Sequence, residues 1–117
     1  LLLLVPAIAL AAFVVAASGV LPYKVYVVHT GSMSPTIPSK SAVIVRERQY
    51  EVGQVITFTA GGLTTTHRLI SINADGMAIT KGDANETADP WRIPPEQIIG
   101  GVVAAPRELG YWVVYLR

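Results

Sequence analysis

Residues 54–72 read QVITFTAGGLTTTHRLISI, and this stretch decides the fold. Both arms are rich in Val, Ile and Thr, whose branched Cβ is stiff in a helix and packs well on a pleated surface. Between the arms stand Gly61 and Gly62, which accept the positive φ that a two-residue hairpin turn demands. The same signature recurs outward. Residues 23–29 (YKVYVVH), 41–47 (SAVIVRE), 77–80 (MAIT) and 98–104 (IIGGVVA) are short apolar runs, most of them alternating. Turn formers separate them: Ser34-Pro35-Thr36-Ile37-Pro38, Asn73-Ala74-Asp75-Gly76 and Pro94-Pro95. About six strands with no convincing amphipathic helix predict a mainly β domain, a compact antiparallel sheet or partly closed barrel.

A chain of 117 residues suits one such domain. The net charge of +1 is scattered, so no surface for nucleic acid is expected. Cysteine is absent, which excludes a thiol nucleophile, disulfides and a thiolate metal site. With only two histidines a zinc site is not expected either, and we expect no metal and no cofactor. The hydrophobic fraction of 51% owes its excess to residues 1–21, which carry no charge. About 20 residues of helix cross a hydrocarbon core of about 30 Å. We therefore expect a transmembrane anchor over residues 1–21, closed by Pro22 and flanked by Tyr23, Lys24 and Tyr26 as interfacial anchors. A cleavable export signal, for which Ala16-Ala17-Ser18 would offer a cleavage site, has an apolar core of only about 7–15 residues. Opening on Leu1 rather than Met, the chain is expected to have further residues upstream. Residues 22–117 form the β-rich domain, and its end, 110–117 (GYWVVYLR), reads as a last strand or the lead into a second membrane segment.

Three polar segments carry candidate chemistry. Residues 29–36 read HTGSMSPT, a strand end followed by a proline-stiffened turn that can hold a serine hydroxyl at the surface. Local chemistry alone does not separate Ser32 from Ser34. A serine hydroxyl is a weak nucleophile and needs a base to take its proton. The candidates are His29, His67, Lys24, Lys40 and Lys81. Imidazole is a ready base at neutral pH, whereas a lysine must first be heavily desolvated, which favours His67 and, second, His29. Residues 81–90, KGDANETADP, form an acidic loop. A calcium loop would end on a bidentate Glu that is missing here. Asn85-Glu86-Thr87 also matches a glycosylation sequon. A carboxylate from this loop is a candidate to hold the far nitrogen of a histidine base.

Taken in order, GSMSPT (31–36), VGQVITF (52–58), THRLI (66–70) and KGDANETADP (81–90) resemble the motifs of type I signal peptidases, after an apolar anchor. The common bacterial pattern has a lysine base where this chain has His67, followed by Arg68. Histidine there is similar to the endoplasmic-reticulum-type branch of eukaryotes, archaea and some Gram-positive bacteria. The resemblance implies a β fold of the signal-peptidase type, with Ser32 as nucleophile and His67 as general base. It implies Asp89 as the histidine's partner and Asp83 as a supporting acid, although which of the two holds the imidazole stays open. It also implies an oxyanion hole built from the Ser32 N–H and the Thr30 hydroxyl. Substrates would be exported preproteins with small residues one and three positions before the cut. Val27, His29, Thr65 and Thr66 are expected to edge the substrate site, with Met33 beside the cleaved bond. Partners would be signal peptides and membrane lipid, with accessory subunits if the source is eukaryotic. The site would face the extracytoplasmic or lumenal side. The competing function is a non-enzymatic, membrane-anchored β domain that binds or scaffolds. A self-cleaving repressor protease would need a lysine base and no anchor.

Overall fold

The computed structural model describes residues 22–106 and 112–114. Seven strands make one antiparallel sheet: β1 (Tyr23–Val27), β2 (Ala42–Glu47), β3 (Val55–Ala60), β4 (Leu63–Ile72), β5 (Ala78–Lys81), β6 (Ile98–Pro106) and β7 (Trp112–Val114). Six of them lie in the path β1-β2-β6-β3-β4-β5, and β7 joins by pairing with β6. One short 3₁₀ turn, Pro95–Gln97, leads into β6. The path is open, with β1 and β5 at its two ends, so the described residues form a sheet and not a closed barrel.

The β3–β4 hairpin turns where the glycines predict it. Gly61 and Gly62 have φ of 58° and 80°, and Ala60 pairs with Leu63 across them. The β4–β5 connection closes through Asn73, whose N–H donates to the Met77 carbonyl at 2.9 Å. Strand limits move by one to a few residues from the expected ones. β1 stops at Val27 instead of running to His29: the Val28 N–H still donates to the facing Ser41 carbonyl at 2.9 Å, but the Val28 carbonyl accepts from Lys40, one residue out of register, and the ladder ends there. β6 runs on to Pro106, where β7 pairs with it.

β3 is the centre of the fold and is buried on both faces. Val55 packs with Val28, Met33, Ile37, Val43, Val45 and Val102 on one side. Ile56 and Phe58 pack with Leu69, Ala78, Ile93 and Ile98 on the other. Burying a side chain of this kind contributes about 1.5–3 kcal/mol. Thr57 is buried between them, and a hydroxyl there costs stability unless it is bonded. Its Oγ1 lies 2.8 Å from Thr66 Oγ1, which satisfies it.

The expected membrane anchor, residues 1–21, lies outside the described residues. Among those described, no helix is long and apolar enough to cross a membrane. Of the terminal run 110–117, Trp112–Val114 form a strand and the remaining positions lie outside the described residues.

Candidate active site

The loop between β1 and β2 carries Ser32. It is closed at its base by Val28, which accepts from the Lys40 N–H at 2.6 Å. Met33 and Ile37 anchor it from inside, both fully buried, with the Ile37 N–H bonded to the Met33 carbonyl at 2.9 Å. Ser32, half-buried beside this anchor, is thereby held at the domain surface. Gly82 approaches it from the loop after β5, and a Cβ on Gly82 would sit 2.6 Å from the Ser32 carbonyl oxygen. Only glycine lets the two loops meet this closely. The Ala84 N–H uses that approach to donate to the Ser32 carbonyl at 2.9 Å.

His67 stands on β4 opposite Ile56, on the face that also carries Phe58. It is 6% exposed, with the Phe58 ring edge-on at 6.3 Å between centroids. Its Nε2 lies 2.9 Å from Ser32 Oγ and its Nδ1 lies 2.6 Å from Asp89 Oδ2. A carboxylate only accepts, so Nδ1 carries the proton and Nε2 offers its lone pair to the Ser32 hydroxyl. The same Asp89 oxygen accepts from the Thr80 hydroxyl at 2.7 Å, and the Asp89 N–H donates to the Thr80 carbonyl at 2.8 Å. Thr80 is fully buried on β5, so this oxygen is fixed by the sheet itself. With the Ser32 hydroxyl directed to Nε2, the Thr30 hydroxyl donates to Ser32 Oγ at 2.9 Å and accepts the Ser32 N–H at 3.4 Å.

Asp83 goes elsewhere. Arg68 Nε and Nη2 grip its two oxygens at 2.9 and 2.8 Å, and the Thr36 hydroxyl donates to it at 2.7 Å. Arg68 also donates to the Gly53 carbonyl at 2.8 Å, and the Asp83 N–H reaches Met33 Sδ at 3.4 Å. One acid thus ties the serine loop to the strand that carries His67. The Arg68 hydrogen bond, opposed by burial and helped by Thr36, holds the Asp83 carboxyl below its ordinary pKa. A depressed acid contributes stability at neutral pH and loses it as pH falls from about 4 toward its folded-state value. Urea unfolding followed between pH 7 and pH 3 should show Asp83→Asn less stable at pH 7 and less sensitive to acid than the wild type. Parallel curves would remove this role from Asp83.

Beside Ser32 lies a shallow groove lined by Tyr26, Val27, Val28, His29, Thr30 and, from β4, Thr64, Thr65 and Thr66. Its volume is about 80 Å³. Both walls are strand edges: among the described residues β1 pairs only with β2, and residues 63–67 of β4 pair only with β3. Val27, His29, Thr65 and Thr66 are among the residues that line this groove. Met33, expected beside the cleaved bond, is not, since its side chain is fully buried in the core and is no part of this wall. An apolar thioether flanked by Val28 and Ile37 gains more from burial there than from lining a polar groove.

Of the other candidate bases, Lys24 pairs with Glu47 at 3.8 Å and Lys81 Nζ donates to the Gly82 carbonyl at 3.2 Å. His29 and Lys40 are exposed, the His29 backbone carbonyl accepting from the Ser39 hydroxyl. Asn85, Glu86 and Thr87 are all exposed. Among the described residues no group of three or more His, Asp or Glu side chains is placed to hold a metal ion. Thr80 and Trp91, which the sequence did not mark for the site, both belong to it by position: Trp91 stacks on His67 at 6.5 Å. No protein-family model matches this chain, and no curated protein matches it.

Proposed function

We propose that this chain is a membrane-anchored serine endopeptidase that removes signal peptides from exported preproteins, acting on the extracytoplasmic or lumenal side. The observation that carries the reading is the continuous chain Ser32 Oγ–His67 Nε2, His67 Nδ1–Asp89 Oδ2, with bonds of 2.9 and 2.6 Å. Three residues far apart in sequence meet in the order that nucleophilic acyl transfer requires. The resemblance of the same segments to type I signal peptidases points to the substrate class and to a fold of that type.

Ser32 Oγ attacks the scissile carbonyl carbon while His67 Nε2 takes its proton. The imidazolium so formed is stabilised by Asp89. The Ser32 N–H and Thr30 hydroxyl, which satisfy each other at rest, turn to the developing oxyanion. His67 then protonates the leaving amine. Water, activated by the same imidazole, releases the acyl group from Ser32. No metal or cofactor is needed for any step.

A preprotein segment lies along the free edges of β1 and β4, where main-chain hydrogen bonds hold it and alternate side chains face the groove. The groove beside Ser32 is small, about 80 Å³, and favours small side chains over large ones. An anchor over residues 1–21 would hold the site at the membrane surface and raise its effective concentration toward substrates tethered there.

The test is cleavage of a preprotein by the full chain in detergent micelles, with the cut mapped by mass spectrometry. Cutting is expected after a small residue, and Leu or Phe at the positions one and three before the cut should slow it about a hundredfold or more. Absence of cutting, or cutting indifferent to side-chain size, would sink the proposal.

A further inference from the structure

We propose that Trp91 is a positioning residue whose indole roofs the His67 imidazole and keeps water from the Nδ1–Asp89 hydrogen bond. The proposal rests on His67 being the general base and adds a residue to that site. It begins from chain geometry. The Asp89 N–H is bonded to the Thr80 carbonyl at 2.8 Å, and Ile93 exchanges two bonds with Ala78 at 2.8 and 3.0 Å. Five residues, 89–93, are thus strung between β5 positions only two apart, so the middle of the segment must arch away from β5. Trp91 is that middle. Pro90, with its φ fixed, stiffens the arch, and buried Ile93 nails its far end to the core.

The arch delivers two groups to one ring. Asp89 reaches the imidazole edge at Nδ1, and two residues later Trp91 stacks toward the same ring, with centroids 6.5 Å apart and planes inclined by 19°. Offset stacking at this separation is a favourable aromatic arrangement. Phe58 closes the ring from another side, edge-on at 75°. His67 is 6% exposed, whereas the indole over it is 39% exposed. An exposed tryptophan above a buried histidine is a cover. Its removal would open the face of the ring to solvent while leaving the core beneath, built on Phe58, Leu69 and Ile93, in place. A ring free to tilt loses the alignment of Nε2 with Ser32, and small misalignments of a reacting pair cost rate.

The test compares wild type, Trp91→Ala and Trp91→Phe as full chains in micelles. The first readout needs no catalysis: the rate at which the His67 Nδ1 proton exchanges with water, measured by NMR at neutral pH. Trp91→Ala should exchange it about tenfold faster or more, and Trp91→Phe, which restores an aromatic roof, should recover most of the protection. Equal exchange in all three proteins overturns the proposal. The second readout is preprotein cleavage, where Trp91→Ala should lower kcat about tenfold with KM within about twofold, again rescued by Phe. A loss confined to KM overturns it by making Trp91 a substrate contact. Should the wild type cleave no preprotein while the exchange difference appears, the peptidase reading falls and the shielding of His67 stands.

Discussion

Ser32→Ala is expected to lower preprotein cleavage by a factor on the order of 10⁶, and His67→Ala by a similar factor, because groups that act as a unit fail as a unit. Without the Ser32 hydroxyl the imidazole has no nucleophile to activate. Without the imidazole, the hydroxyl at 2.9 Å loses its proton acceptor, and Lys24 and Lys81 are held by Glu47 and the Gly82 carbonyl. The double variant should therefore be no slower than the worse single one. Neither change removes the packing of Met33 and Ile37 that holds the serine loop, so circular dichroism should still report a folded sheet. His67→Lys should also lose most activity. An ammonium placed against Asp89 keeps its proton, since an adjacent carboxylate favours the charged form. Near-wild-type turnover by any of these variants would end the assignment of nucleophile and base.

Local chemistry made the strands legible. Residues 54–72 announce a hairpin because β-branched arms and a Gly-Gly turn are properties of neighbouring residues, and β3–β4 turns at Gly61 and Gly62. The order β1-β2-β6-β3-β4-β5 is not local: β6 enters between β2 and β3 from 40 or more residues away, and no turn residue encodes that. Within the site, the sequence leaves Asp83 and Asp89 as rivals because both sit in one acidic loop. They are separated by contacts the sequence cannot display. The Thr80 carbonyl and hydroxyl fix Asp89 at the imidazole, whereas Arg68 and Thr36 draw Asp83 to the back of the serine loop. Thr80 itself reads only as a β-former, and its role depends on a chain reversal nine residues later. Trp91 carries no local signal of a role at the site, and only the clamping of Asp89 and Ile93 onto β5 brings it to the imidazole. Met33 shows the opposite error: its place beside the serine in sequence suggested the groove, and the core took it.

Asp89→Ala is expected to lower kcat by about 10⁴-fold, less than loss of nucleophile or base, because serine and imidazole remain and only their orientation and charge support go. The His67 Nδ1–H would then face an unpartnered, nearly buried site, and the Thr80 hydroxyl would lose its acceptor. Each unsatisfied group costs about 1–3 kcal/mol, so a lower unfolding midpoint should accompany the loss of rate. Asp89→Asn separates charge from geometry. The Thr80 hydroxyl and the imidazole N–H both donate to one oxygen, so the amide should settle with its carbonyl in that place and preserve the tautomer. It should therefore retain more activity than Asp89→Ala, the remaining deficit measuring the missing negative charge beside the imidazolium. Adding Thr80→Val removes the donor that fixes the amide. The flipped amide then presents its NH₂ to Nδ1, forces the proton onto Nε2 and blocks acceptance from Ser32, so the double variant should fall to the Asp89→Ala level. If Asp89→Asn and Asp89→Ala instead both turn over like the wild type, the carboxylate has no part in the chemistry and His67 works without it.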